Sequence, residues 1–164
     1  MLLERESTLA DLSIAVNDAA GGRGSVVLVT GEAGIGKTSL IRAFADEAAG
    51  RARVLLSACD DLMASRTLGP LRDAILGSEP VDDVFTALLE ALAADPPTVL
   101  VVEDIHWADD ATLDVLGYAA RRIEPLGAVL VLTCRDEEID AGCARAPGRT
   151  RTRCTGSRAG IRSS

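Results

Sequence analysis

Hydrophobic positions along this chain follow two alternating patterns. Leu9, Leu12, Val16 and Ala19 recur at helical spacing and stop at Gly21-Gly22, predicting an N-terminal helix of about 15 residues. The run SVVLVT, residues 25–30, is continuously aliphatic and β-branched, as in a strand buried on both faces of a parallel sheet. A second helical stripe follows, made of Leu40, Ile41, Phe44, Ala45 and Ala48 and ending at Gly50. RVLLSA predicts a second strand, and a short helix is expected between Thr67 and Gly77. Val81, Val84, Phe85, Leu88, Leu89 and Leu92 form the cleanest helical face and are closed by Pro96-Pro97. TVLVVED and GAVLVLTCRD predict the third and fourth strands. Between them a helix capped by Asp109 or Asp110 carries Leu113, Leu116, Ala120 and Ile123 inward. Regular alternation of this kind predicts an α/β fold: a three-layer sandwich around a mostly parallel sheet.

Beyond Asp140 the pattern fails. Residues 141–164 contain one large aliphatic side chain, no acid and no periodicity, so a disordered tail is expected after a folded domain at 1–140.

Charge divides at the same place. Residues 1–140 hold all 25 acids and 11 of the 17 basic residues, a net charge of −14, whereas the tail carries six arginines. So acidic a body disfavours sequence-independent nucleic-acid binding, and the tail lacks aromatic residues for stacking, so no specific DNA binding is expected. Aromatics make up only 2% of the chain, which leaves the core to Ala, Leu, Val and Ile. Without an apolar run of about 18 residues, and with ERES near the N-terminus, the chain reads as cytoplasmic, neither membrane-inserted nor secreted. Cys59, Cys134, Cys143 and Cys154 show no metal-ligand spacing and read as reduced thiols.

Gly31-Glu32-Ala33-Gly34-Ile35-Gly36-Lys37-Thr38, followed by Ser39, fits the phosphate-loop pattern GxxxxGK[ST] between a buried strand and an amphipathic helix. Glycines let backbone N–H groups turn around an anion, and the helix beginning near Lys37 adds its positive end. Lys37 is the chain's only lysine, in a sequence that otherwise uses arginine. A compact ammonium suits the β- and γ-phosphates better than a planar guanidinium does. Thr38 would place its hydroxyl on Mg²⁺. Glu103 and Asp104 end a neighbouring strand, where carboxylates that hold the metal and polarise water should sit, in either assignment. Arg135, past the fourth strand, would reach the same sheet edge. His106 and Trp107, the only His and Trp, read as packed or solvated rather than catalytic.

Taken in order, LLERE, GEAGIGKTSL, ACDDL, LGPLRD, VVEDIHWADDATLDVL and VLVLTCRDEE resemble the N-terminal ATPase module of large LuxR-type transcriptional regulators. That module is an AAA-type, STAND-class P-loop ATPase, also described as origin-recognition-complex-like. The resemblance covers about residues 1–138. It implies a P-loop NTPase fold that binds ATP or ADP with Mg²⁺. Residues 31–38 would be Walker A, and 99–104 Walker B with Glu103 as the metal-side acid. Arg135 would be a sensor arginine, and Arg5 would lie in the segment enclosing adenine. The last core strand and lid domain of such regulators have no counterpart here, so the resemblance implies an incomplete ATPase domain, weak or inactive in hydrolysis. It also implies an open edge on the SVVLVT strand through which chains self-associate. The change of composition near residue 140 suggests a frameshifted or truncated reading frame. The alternative functions are a non-enzymatic interaction fragment and a weak nucleic-acid binder through the basic tail.

Overall fold

The computed structural model describes residues 2–62, 66–77, 80–138 and 150–153. In chain order it contains α1 (Leu2–Ala20), β1 (Ser25–Gly31), α2 (Lys37–Ala48), β2 (Arg53–Ala58), α3 (Gly69–Leu71), α4 (Val84–Leu92), β3 (Thr98–Glu103), α5 (Asp110–Ala120), β4 (Val129–Arg135) and β5 (Thr150–Arg153). The strands lie in the order β2-β3-β4-β1-β5, and every pair is parallel.

Alternation along the strands produces the three layers. Val26, Leu28, Leu100, Val102, Leu130 and Leu132 face one core, which α4 and α5 cover. Val27, Val29, Val99, Val101, Val129 and Val131 face the other, beneath α1 and α2. Both faces of β1, β3 and β4 are therefore apolar, which is why their sequences read as unbroken aliphatic runs. Helices α1 and α2 lie side by side with a constant offset of 34 residues: Arg5 donates to the Ser39 carbonyl, Ser13 bonds Glu47, and Arg51 donates to Asn17. No helix among the described residues is long and apolar enough to cross a membrane.

Several elements depart from expectation. The Thr67–Gly77 helix is a single α-turn at Gly69–Leu71 that continues as a π-turn over Arg72–Leu76. Helix α4 starts only at Val84, because the Asp83 side chain accepts from the N–H groups of Phe85 and Thr86 and fixes the first turn there. Helix α5 is capped by Asp109 and buries Thr112, Val115, Leu116 and Ala119, while Leu113 is only half-buried. Of the predicted inward face, Leu116 and Ile123 are buried and Ala120 packs against the same core, so Leu113 alone departs from it.

The expected open edge on β1 is corrected by β5. Thr150 to Arg153 pair in register with Val27 to Thr30, so backbone bonds cover that edge. A four-residue Thr/Arg segment can do this because ladder bonds come from the main chain and need no apolar side chains. At these four positions the tail is therefore not without regular structure. Residues 141–149 and 154–164, with the rest of the expected disordered tail, lie outside the described residues.

Candidate functional site

Parallel strands deliver their C-terminal ends to one edge of the sheet, and the candidate residues gather there. Strand β1 ends at Gly31, and residues 32–36 turn into α2 through Gly34 and Gly36, at φ 76° and 98°. Those left-handed conformations favour glycine, and a Cβ added at either residue would meet only open space. Gly36 is the N-cap of α2 and offers no side chain, so the helix's first N–H groups remain directed at the loop.

Lys37 is 8% exposed. Its Nζ donates to the carbonyls of Gly31 at 2.8 Å and Glu32 at 2.9 Å, so the ammonium curls back under the loop. Thr38 Oγ1 donates to Glu103 Oε2 at 2.7 Å, joining the start of α2 to the end of β3 across 65 residues. A cavity of about 260 Å³ lies above them, lined by Ala33, Gly34, Gly36, Lys37, Thr38 and Ser39, and closed by Asp104 and Arg135. Arg5 approaches from α1, its guanidinium 3.2 Å from the Ser39 carbonyl. Gly31, Glu32 and Ile35 belong to the loop but do not line the cavity, and neither do Glu103 and Arg5. His106 and Trp107 are likewise outside it, their rings 5.4 Å apart with Trp107 partly exposed.

Asp104 reaches the cavity because its backbone takes the left-handed conformation, φ 55°, which Asp tolerates better than most residues. The turn is held by Thr133 of β4, whose Oγ1 accepts from the Asp104 N–H at 2.9 Å. Sequence reasoning missed Thr133; its one signal was a polar residue inside an apolar strand. Replacing Thr133 with Val leaves a partly buried N–H without its side-chain partner. The expected loss is about 1–2 kcal/mol in urea unfolding. The Asp104 amide should also exchange faster with solvent, and unchanged exchange would remove Thr133 from this role.

Cys59 follows β2, donates its N–H to the Glu103 carbonyl, and is buried. Its thiol is pushed up to about 12, by burial first and then by the charges of Asp109, Asp104 and Asp60. Because the folded value lies above the unfolded one of about 8.5, the neutral thiol stabilises the fold fully below that pH, and the contribution is lost as pH rises through about 12. At pH near 8, iodoacetamide should therefore label Cys59 only as fast as the chain unfolds, which peptide mass mapping can follow.

Glycine N–H groups, a helix N-terminus and a lysine at one edge, opposed by a hydroxyl–carboxylate pair, form a cradle that can hold a polyphosphate and a hard cation. With the sheet order, they define a P-loop NTPase fold. The matching family model, AAA ATPase domain, spans residues 1–132, and the chain belongs to that family.

The chain is 30% identical, over a 189-residue alignment, to an uncharacterized protein of Rhizobium meliloti (strain 1021). The match covers 82% of this chain but only 18% of that protein. Among solved structures, the Drosophila origin recognition complex bound to DNA matches with a TM-score of 0.62 at 18% identity, over 93% of this chain and 43% of that one. The Thermotoga maritima RuvB Holliday junction branch migration motor matches at 0.51 and 22%, over 90% and 44%. At such identities these structures speak for the fold alone. The chain spans under half the length of each of these three relatives.

Proposed function

We propose that this chain binds ATP with Mg²⁺ at the β1–α2 loop and acts as a nucleotide-dependent regulatory module in the cytoplasm. The observation that carries the reading is the 2.7 Å bond between Thr38 and Glu103, which brings together the two expected metal ligands. In this reading residues 31–39 hold the phosphates, and Lys37 leaves the loop carbonyls for the β- and γ-phosphates. Thr38 and Glu103 hold the cation, which would neutralise phosphate charge when bound. Asp104 lines the same cavity and offers the carboxylate that would orient a water and accept its proton. Arg135 supplies a second cation on the phosphate side, and Arg5, bound to the first turn of α2, stands where the base would be enclosed.

Turnover in this reading is slow, and the nucleotide serves as a state marker for attached domains. A LuxR-type transcriptional regulator as the parent protein is supported by the order of motifs from LLERE to VLVLTCRDEE. The test is a thermal-shift titration with ATP, with and without Mg²⁺, beside a phosphate-release assay. A saturable, Mg²⁺-dependent rise in melting temperature with turnover well below one per second is the expected result. A melt indifferent to ATP would sink the proposal.

A further inference from the structure

With β5 on one side of the sheet, the edges are β5 and β2, and they differ in kind. Strand β5 is four residues long and carries two arginines, a composition that resists further pairing. Strand β2 is six residues long and uncharged from Val54 to Ala58, and no described strand pairs with its outer side. Leu56 at its centre is 49% exposed. The N–H groups of Arg53 and Cys59 donate inward, to Pro97 and Glu103, so odd positions bond β3. Alternation then turns the main-chain groups of Val54, Leu56 and Ala58 outward.

The charges flanking this edge are arranged end to end. The stretch reads RARVLLSACDD: Arg51 and Arg53 precede the apolar centre, and Asp60 and Asp61 follow it. Antiparallel pairing of the strand with a second copy of itself about a two-fold axis at Leu56 sets Leu56 against Leu56 and Val54 against Ala58. Carried past the strand into the turns at either end, the same register brings the Arg51–Arg53 end of one copy toward the Asp60–Asp61 end of the other, with the Arg51 guanidinium also held by Asn17 and Glu47. The outward parity of Val54, Leu56 and Ala58 is the one such a ladder needs.

We propose that β2 is a self-recognition edge: two copies of this chain join their β2 strands antiparallel into one continuous sheet. Its partner chemistry is a strand with the same basic–apolar–acidic order. The contact is a strand ladder of small area, so assembly is concentration-dependent and reversible.

Sedimentation equilibrium of the full chain from about 1 to about 300 µM tests it. The mean mass should rise from the chain's 17.1 kDa toward twice that value. Leu56→Lys, a solvent-facing charge at the centre of the edge, should weaken the dimer at least about tenfold with the melting temperature retained. A variant with Asp60→Arg and Asp61→Arg makes both ends basic and should be monomeric alone. It should pair with a variant carrying Arg51→Glu and Arg53→Glu, whose two ends are acidic. If Leu56→Lys lowers the melting temperature, the Asp60/Asp61 variant decides by itself. A mass that stays at one chain throughout, or a dimer that survives either variant with the fold retained, overturns the proposal.

Discussion

Replacing Lys37 with Ala should weaken Mg-ATP binding by about 100-fold, a loss of roughly 2.7 kcal/mol. The magnitude follows from what the ammonium does. It is the only lysine in the chain, nearly buried, and already holds two carbonyls of the loop that would surround the phosphates. Alanine removes the charge and leaves the N–H cradle to act alone. At ATP concentrations about 100 times the dissociation constant, binding adds roughly 2.7 kcal/mol to the wild-type fold, and about 0.4 kcal/mol to the variant. For a domain of this size that separates a rise of about 5–10 °C from one near 1 °C. The ligand-free variant should melt close to wild type, because both lost bonds end on loop carbonyls that water can reach once Nζ is gone. Lys37→Arg should fall between the two, because a planar fork cannot occupy the pocket of a point charge. A variant that keeps the full ATP-induced shift would remove the loop from nucleotide binding altogether.

The strands were legible because each had to be apolar on both faces. Arg53–Ala58 and the start of β1 at Ser25 fall where the aliphatic runs place them. The gathering of Lys37, Thr38, Asp104 and Arg135 was also legible, since a phosphate-loop motif fixes one strand end and parallel topology sends the others to the same edge. Less legible was whatever depends on main-chain geometry in three dimensions. The left-handed turn at Asp104 rests on a hydroxyl 29 residues away, and nothing local to Asp104 announces it. The π-turn after Leu71 leaves no side-chain pattern distinct from an ordinary helix. Strand β5 escaped because TRTR has no hydrophobic face, and its place comes from the row of backbone groups that β1 presents. In α5 the stripe found Leu116, Ala120 and Ile123 but passed over Thr112, whose N–H the Asp109 cap holds and which is buried where Leu113 is not.

Gly24→Ala should be among the most destabilising single substitutions in the chain, at about 3 kcal/mol or more. A Cβ at Gly24 would lie 2.0 Å from the Ile123 carbonyl oxygen and 2.7 Å from that of Ala128. Both neighbours are main chain, so no rotamer change relieves the overlap. The chain entering β1 must instead move away from the turn at Glu124–Leu126, which breaks the 2.7 Å bond from Gly24 N–H to the Glu124 carbonyl. The next residue, Ser25, opens the β1–β4 ladder opposite Val129, so the displacement enters the sheet at its centre. Strand β1 runs from there to Gly31, and a shifted entry would reach the phosphate loop as a misplaced turn. The expected result is a melting temperature lower by roughly 6–12 °C, with weaker Mg-ATP binding in whatever fraction stays folded. Gly22→Ala is the control. Gly22 sits at φ 83° with nothing near its absent Cβ, so only left-handed strain is added, about 1 kcal/mol. If the two substitutions cost the same, backbone strain rather than close approach governs this corner, and the tight packing of β1 against the β4 entry is not what holds the loop in place.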